Sequence, residues 1–204
     1  GDITDNWHFD VYGGTGKFNE QLDQAGNVSV PKVEDLLDAP DGGESICAGG
    51  FNPFGYFGLS PACAQYVAVV AKNTAQIEHN MAEATVSGDL FSLPAGEVSL
   101  ALGAFWQEMT CRALKDQILR SGDVSGFNAE DNITGKVDNR DLYAEIYVPL
   151  LSEMPLVQSL GLTAGYRFSD HSSAGGNSSY KAELDWRLND SVRFRGGYQR
   201  AVRA

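Results

Sequence analysis

Between Tyr180 and Leu188 apolar and charged residues alternate without a break: Tyr180, Ala182, Leu184, Trp186 and Leu188 are separated by Lys181, Glu183, Asp185 and Arg187. A period of two sends the first set to one face of an extended strand and the second to the other. The next stretch repeats the pattern, with Val192, Phe194, Gly196 and Tyr198 set against Arg193, Arg195, Gly197 and Gln199. Two earlier stretches do the same. Leu142, Ala144, Ile146 and Val148 oppose Asp141, Tyr143, Glu145 and Tyr147, and Leu160, Leu162, Ala164, Tyr166 and Phe168 oppose Gly161, Thr163, Gly165 and Arg167. Aromatic rings collect towards the strand ends. A membrane-spanning β-barrel strand reads this way, with lipid outside, a wet or plugged lumen inside, and rings at the interfaces.

Periodicity alone leaves a second reading open, because a half-exposed soluble sheet, a lipocalin-like barrel or a sandwich also alternates, with its apolar face turned inward. Composition does not separate the two: 23 glycines, 10% aromatics and a net charge of −12 suit either. No run reaches the roughly 18 consecutive apolar residues of a spanning helix, whereas a barrel strand needs only about 9 to 11 residues. The acidic balance, without clusters of Lys and Arg, argues against nucleic acid as a partner.

The connections carry more information. A first strand is expected from about Asn6 to Phe18, and a long connection, 19–73, follows it with Pro31, Pro40, Pro53, Pro61, two Gly-Gly doublets and two helix-like pieces, Lys32 to Asp38 and Pro61 to Val70. Strands then run over about 74–91 and 98–111, joined by the turn Leu93-Pro94-Ala95-Gly96-Glu97, and a second long connection, 112–139, leads to the strand beginning near Leu142. The remaining links are turns at Leu151 to Pro155, His171 to Gly176 and Asn189 to Ser191. Long and short connections alternate. All short ones fall on one rim and the longer ones on the other, the asymmetry of a barrel with short periplasmic turns and long extracellular loops. The expected fold is therefore all-β, an antiparallel transmembrane β-barrel segment of about seven strands. A single-chain bacterial barrel closes on an even number, at least about eight, so residues 1–204 are expected to be a piece of a larger barrel domain.

Specific strings match a family. Ser87-Gly88-Asp89-Leu90-Phe91-Ser92-Leu93-Pro94-Ala95-Gly96, with Val98 to Trp106 after it, resembles a hairpin in the barrel of TonB-dependent outer-membrane receptors. Phe194 to Ala204 is similar to a strand that in those receptors leads into a Pro-Asn turn, and Asn52-Pro53-Phe54-Gly55, Ser121-Gly122-Asp123-Val124 and Tyr166 to Ser172 add weaker matches. The resemblance implies localisation to the bacterial outer membrane, contact with its lipid, and a barrel of about 22 strands filled by an N-terminal plug. It implies import of a scarce small-molecule or glycan ligand, in the class of ferric siderophores, vitamin B12 or oligosaccharides, with energy relayed by the TonB complex through that plug. Neither a plug nor a TonB box is found in this sequence. A passive outer-membrane porin and a soluble β-sandwich binding module are the competing functions.

On this reading the charges of the polar face, Glu145, Lys181, Glu183, Asp185, Arg187, Arg193 and Arg195, form cross-strand pairs and hydrogen-bond a polar plug. Ligand contact is expected from Asn52, Phe54, Tyr56 and Phe57 in the first long loop, where rings suit stacking on a ligand's apolar or sugar face; packing the loop together is the other role open to them. No catalytic, metal or cofactor site is expected. His8, His79 and His171 lack ligand spacing, Glu78-His79 lacks the HExxH frame, Gly13-Gly14-Thr15-Gly16-Lys17 departs from the phosphate-loop pattern, and Ser169-Asp170-His171 sits on an extended chain without a nucleophile elbow. Cys47 and Cys63 are either disulfide-bonded, if their loop meets an oxidising compartment, or free, with Cys111 left over or pairing elsewhere; absent CxxC spacing argues against zinc.

Overall fold

The computed structural model describes residues 1–54 and 59–202. Eight strands form one antiparallel sheet in sequence order: β1 (Asp2–Thr4), β2 (Trp7–Val28), β3 (Ala68–Leu93), β4 (Gly96–Leu114), β5 (Ile133–Met154), β6 (Val157–His171), β7 (Gly175–Arg187) and β8 (Arg193–Arg200). The sheet is not closed. Seven strands are the expected ones, and the three-residue β1 precedes them. Short helices α1 (Val30–Asp38), α2 (Pro61–Val67) and α3 (Gln117–Arg120) lie in the connections. Among the described residues, no helix is long and apolar enough to cross a membrane.

The long strands extend further than the alternation predicts. β2 continues to Val28 and β3 starts at Ala68, so the first long connection is 29–67 rather than 19–73. The second is 115–132 rather than 112–139. Where both faces of a strand meet water, polar side chains stand on both and no period marks the strand, although the backbone ladder continues. Likewise β5 runs on to Met154 through a register shift between Pro149 and Leu151, so the turn is Pro155–Leu156 instead of Leu151 to Pro155. Leu156 there has φ 64°, the backbone region a turn needs after proline and one that leucine occupies at a cost. The link after β6 is a tight turn of Ser172–Ala174. The Gly13–Lys17 run lies within β2, not at its end.

Two compact units are distinguished: residues 1–16, 78–109 and 136–204, and residues 17–77 and 110–135. In the first, the register confirms that the two residue sets keep separate faces across four strands. Ala144 pairs with Tyr166, Leu162 with Leu184 and Ala182 with Tyr198, while Glu145 pairs with Gly165, Gly165 with Lys181 and Asp185 with Arg195. The apolar face is left uncovered: Leu142 is 63% exposed, Phe194 56% and Tyr198 68%. Such a continuous exposed apolar face is foreign to a soluble monomer.

The upper edge of that apolar band also measures strand tilt. Towards the long-loop rim the last apolar residues on this face are Leu142, Phe168, Tyr180 and Tyr198; the next positions outward are Arg140, Asp170, Ser178 and Arg200. Leu142 pairs with Phe168, but Tyr180 pairs with Tyr166 and Tyr198 with Ala182. The edge therefore slips by two residues at each of the last two of three strand steps. At about 3.3 Å per residue and about 4.8 Å between strands, this is a tilt of about 43°. Transmembrane barrels tilt their strands by about 35–45°. Rings mark both ends of the band on β7 and β8: Tyr180 and Tyr198 have centroids 6.2 Å apart near one rim, Trp186 and Phe194 5.8 Å apart near the other.

Candidate functional site

The polar face of β3 to β8 holds a chain of paired groups. Arg167 on β6 is ion-paired to Asp141 on β5, whose other oxygen accepts from Asn139 Nδ2 at 2.9 Å, and the guanidinium lies 5.8 Å from the Tyr143 ring centroid. Tyr143 Oη donates to Glu83 Oε1 at 2.6 Å and lies 3.0 Å from Thr85 Oγ1. Those two residues are on β3, so Tyr143 reaches across β4. It does so over Gly103, where any Cβ would collide with the ring. Lys181 on β7 likewise bridges to Glu145 on β5, Nζ to Oε2 2.6 Å, by passing over Gly165 of β6. A Cβ at position 103 would overlap Tyr143 Cζ and block the first crossing, whereas at position 165 it would lie 3.1 Å from Lys181 Cε and only crowd the second. Around these groups the face hollows into a concavity of about 480 Å³ lined by Glu83, Tyr143, Glu145, Gly165, Arg167 and Lys181 among others.

Nearer the short-turn rim, Arg193 Nε donates to Asp185 Oδ1 at 2.7 Å while its Nη2 pairs with Oδ2, and Arg195 Nε stands 3.3 Å from the same Oδ2. Five of the seven sequence-predicted polar-face residues are thus joined in ion pairs: Glu145 with Lys181, and Asp185 with Arg193 and Arg195. Glu183 and Arg187 lie on the same face without a carboxylate–cation pair among the described residues. Asp141, Arg167, Tyr143 and Glu83 belong equally to this network although they were not among the candidates. Their signal was present in the alternation, and what was missing was the strand register that brings them together.

The second unit contains the long connections, and it is tied internally. Leu36 of α1, Cys47, Cys63 and Val67 of α2 form a buried cluster with Val33, Phe51 and Tyr66 against it. Cys47 and Cys63 are disulfide-bonded, Cα atoms 5.1 Å apart, and Cys111 is free. Ser60 caps α2, its Oγ accepting from Cys63 N at 3.1 Å and donating to Ala48 O at 2.8 Å. Hydrogen bonds from the Ser45 side chain and backbone, then from Gly43 N, hold the Asp41 carboxyl below its usual range.

The two long connections are also stitched to each other. Ser29 bridges to Val124, Val30 N donates to Asp123 O at 2.8 Å and Ser125 N to Val28 O at 2.9 Å, while Ser29 N donates to Val67 O at 2.9 Å and ties the two ends of the first connection together. Ala71, Leu119 and Val124 are buried together. Asp116 accepts from Lys72 N at 2.8 Å and from Ile118 N at 3.1 Å, and these backbone donors, Lys72 first, lower its pKa.

Of the ligand candidates, Asn52 and Phe54 stand exposed beside this base. Asn52 Oδ1 accepts from Phe54 N at 3.0 Å, a local turn that presents Phe54 with 96% of its surface exposed. Phe54 therefore does not pack the loop; Phe51 does. Tyr56 and Phe57 lie outside the described residues. Among the described residues, no group of His, Cys, Asp and Glu is arranged to hold a metal ion.

A family model described as TonB dependent receptor-like, beta-barrel, matches residues 2–204. No curated protein matches the chain.

Proposed function

Because the chain belongs to the TonB-dependent receptor-like β-barrel family, we propose that it forms part of the wall and outer rim of an active importer driven through TonB. That family is one of outer-membrane receptors of Gram-negative bacteria. In this reading the apolar face of β2 to β8 meets outer-membrane lipid, the ionic face encloses a plug, and the short turns lie on the periplasmic side. The observation that carries it is the combination of an exposed apolar band, ring-marked at both edges, with an opposite face on which five of the seven expected charges are joined in ion pairs. Paired charges and hydroxyls give a plug hydrogen-bonding partners without fixing it by hydrophobic burial, so it is held and still free to move. The chain carries no reaction of its own in this account.

Ligand capture is assigned to the first long loop. Phe54, held out by Asn52 on a disulfide-tied base, supplies a ring for stacking on a small molecule or glycan. The test is uptake by cells expressing the full receptor, with and without an intact TonB complex, across ferric siderophores, cobalamin and oligosaccharides. TonB-dependent accumulation of one class supports the reading. Equal accumulation without TonB would show passive flow and overturn it.

A further inference from the structure

The apolar face is not evenly filled. Ala82 and Ala84 of β3 and Ala104 of β4 present only methyl groups, and between the larger Trp106, Leu142 and Phe168 the face sinks into a groove of about 520 Å³. The groove lies over β3, β4 and β5, each of which has both neighbouring strands in place. At its long-loop end the lining changes character. Arg140 and Asp170, one step outward from Leu142 and Phe168 on the same face, are register partners and both line the groove. Opposed residues of an antiparallel pair have Cα atoms about 4.5–5.5 Å apart. Among the described residues no ion pair joins the two: Arg140, its side chain 72% exposed, has Nε 3.8 Å from Asp138 Oδ2, and the exposed Asp170 joins none. Lys136 is already taken by Glu108, Nζ to Oε2 2.7 Å. The mouth of the groove therefore holds one cation, Arg140, and two carboxylates, Asp138 and Asp170.

We propose that this groove is a binding site for a zwitterionic phospholipid with a phosphoethanolamine headgroup. An acyl chain lies over the alanines, where a bulkier residue would fill the space and apolar burial is available. The Arg140 fork takes two phosphate oxygens. The primary ammonium, an ethylene link away from the phosphate, reaches Asp170 on the neighbouring strand. Charge decides between headgroups. A purely anionic lipid would satisfy Arg140 but offer nothing to the two carboxylates, and a trimethylammonium group has no N–H to donate. This proposal deepens, and rests on, the reading that the apolar face meets lipid.

The test uses the full receptor in phosphatidylcholine vesicles, with Trp106 in the groove wall as reporter. Phosphatidylethanolamine brominated on its acyl chains is added in small mole fractions, and Trp106 emission is taken as the difference between wild type and W106F. Bromine quenches an indole it touches. Occupation of the groove should let brominated phosphatidylethanolamine quench at a mole fraction about tenfold lower than brominated phosphatidylcholine or phosphatidylglycerol requires. R140A and D170A should each bring the three lipids within about twofold of one another. A104L, an apolar residue on a lipid-facing floor, should do the same while leaving both headgroup partners in place. Equal quenching by the three lipids in wild type, or a preference that survives R140A, D170A or A104L, would overturn the site. A preference for phosphatidylglycerol would make it an anionic-lipid site and overturn the proposal as well. Absence of quenching by any of the lipids would instead overturn the lipid-facing reading beneath it.

Discussion

Leu184→Arg is the perturbation that most sharply separates a lipid-facing sheet from a water-facing one. Leu184 lies on β7 midway between Tyr180 and Leu188, with Leu162 and Gly196 as register partners, and is 43% exposed. Four residues separate it from each end of the apolar stretch, about 13 Å of strand, which projects to about 10 Å along the barrel axis at a tilt of about 43°. That depth is near the middle of an apolar band about 25 Å tall, where arginine costs about 2–4 kcal/mol. The folded-to-unfolded ratio should fall roughly 30-fold to several-hundred-fold. The assay is a urea titration of the full receptor refolded into lipid vesicles, with Glu183→Arg, one residue away on the other face, as the control. Among the described residues Glu183 joins no ion pair, and arginine in its place stays on the polar face, so its cost should fall below the lower end of that range. Equal tolerance of arginine at the two positions would refute the assignment of faces.

Other consequences are as direct. Gly161→Ala places a Cβ 2.6 Å from the Tyr147 ring, and displacing that ring should cost about 1–3 kcal/mol in the same titration. Reducing the Cys47–Cys63 bond, which closes a separation of 16 residues, should remove about 3 kcal/mol from the loop and accelerate its proteolysis while leaving strand circular dichroism unchanged. Phe54→Ala should weaken ligand binding with no change in stability, because the ring is exposed; unaltered affinity for the imported ligand would remove Phe54 from the site. Asp116 has a lowered pKa, so its contribution is fully present above the ordinary carboxylate value of about 3.9 and fades as pH falls through its lower folded-state value. Hydrogen exchange over residues 115–132 should rise in that acid range in wild type, and Asp116→Asn, which keeps an accepting oxygen but does not titrate, should flatten the dependence.

The sheet was legible in the sequence where one face was apolar and the other charged. From Leu142 to Tyr198 the faces, strand order and ring-marked edges follow from a period of two. Legibility ended at the strand extensions, such as Phe18 to Val28, where water on both sides removes the alternation. It ended also at the bulge after Pro149, which inserts one residue without a compositional mark. The site shows the same division. Glu145 and Lys181 were identifiable as polar-face residues, but their contact crosses an intervening strand over Gly165, and no single-strand pattern reveals a partner two strands away. The stitching of Ser29 to Val124 joins loops distant in sequence and left no local signature, whereas the Cys47–Cys63 pairing was one of two states the sequence left open.

Site-directed spin labelling of the full receptor in vesicles tests the central claim most directly. Nitroxides at positions 162, 184 and 194 should show high collision rates with oxygen and low rates with a water-soluble nickel chelate, and those at 183 and 193 the reverse or protection from both. Water-like accessibility at 162, 184 and 194, with no oxygen gradient towards position 184, would contradict the account.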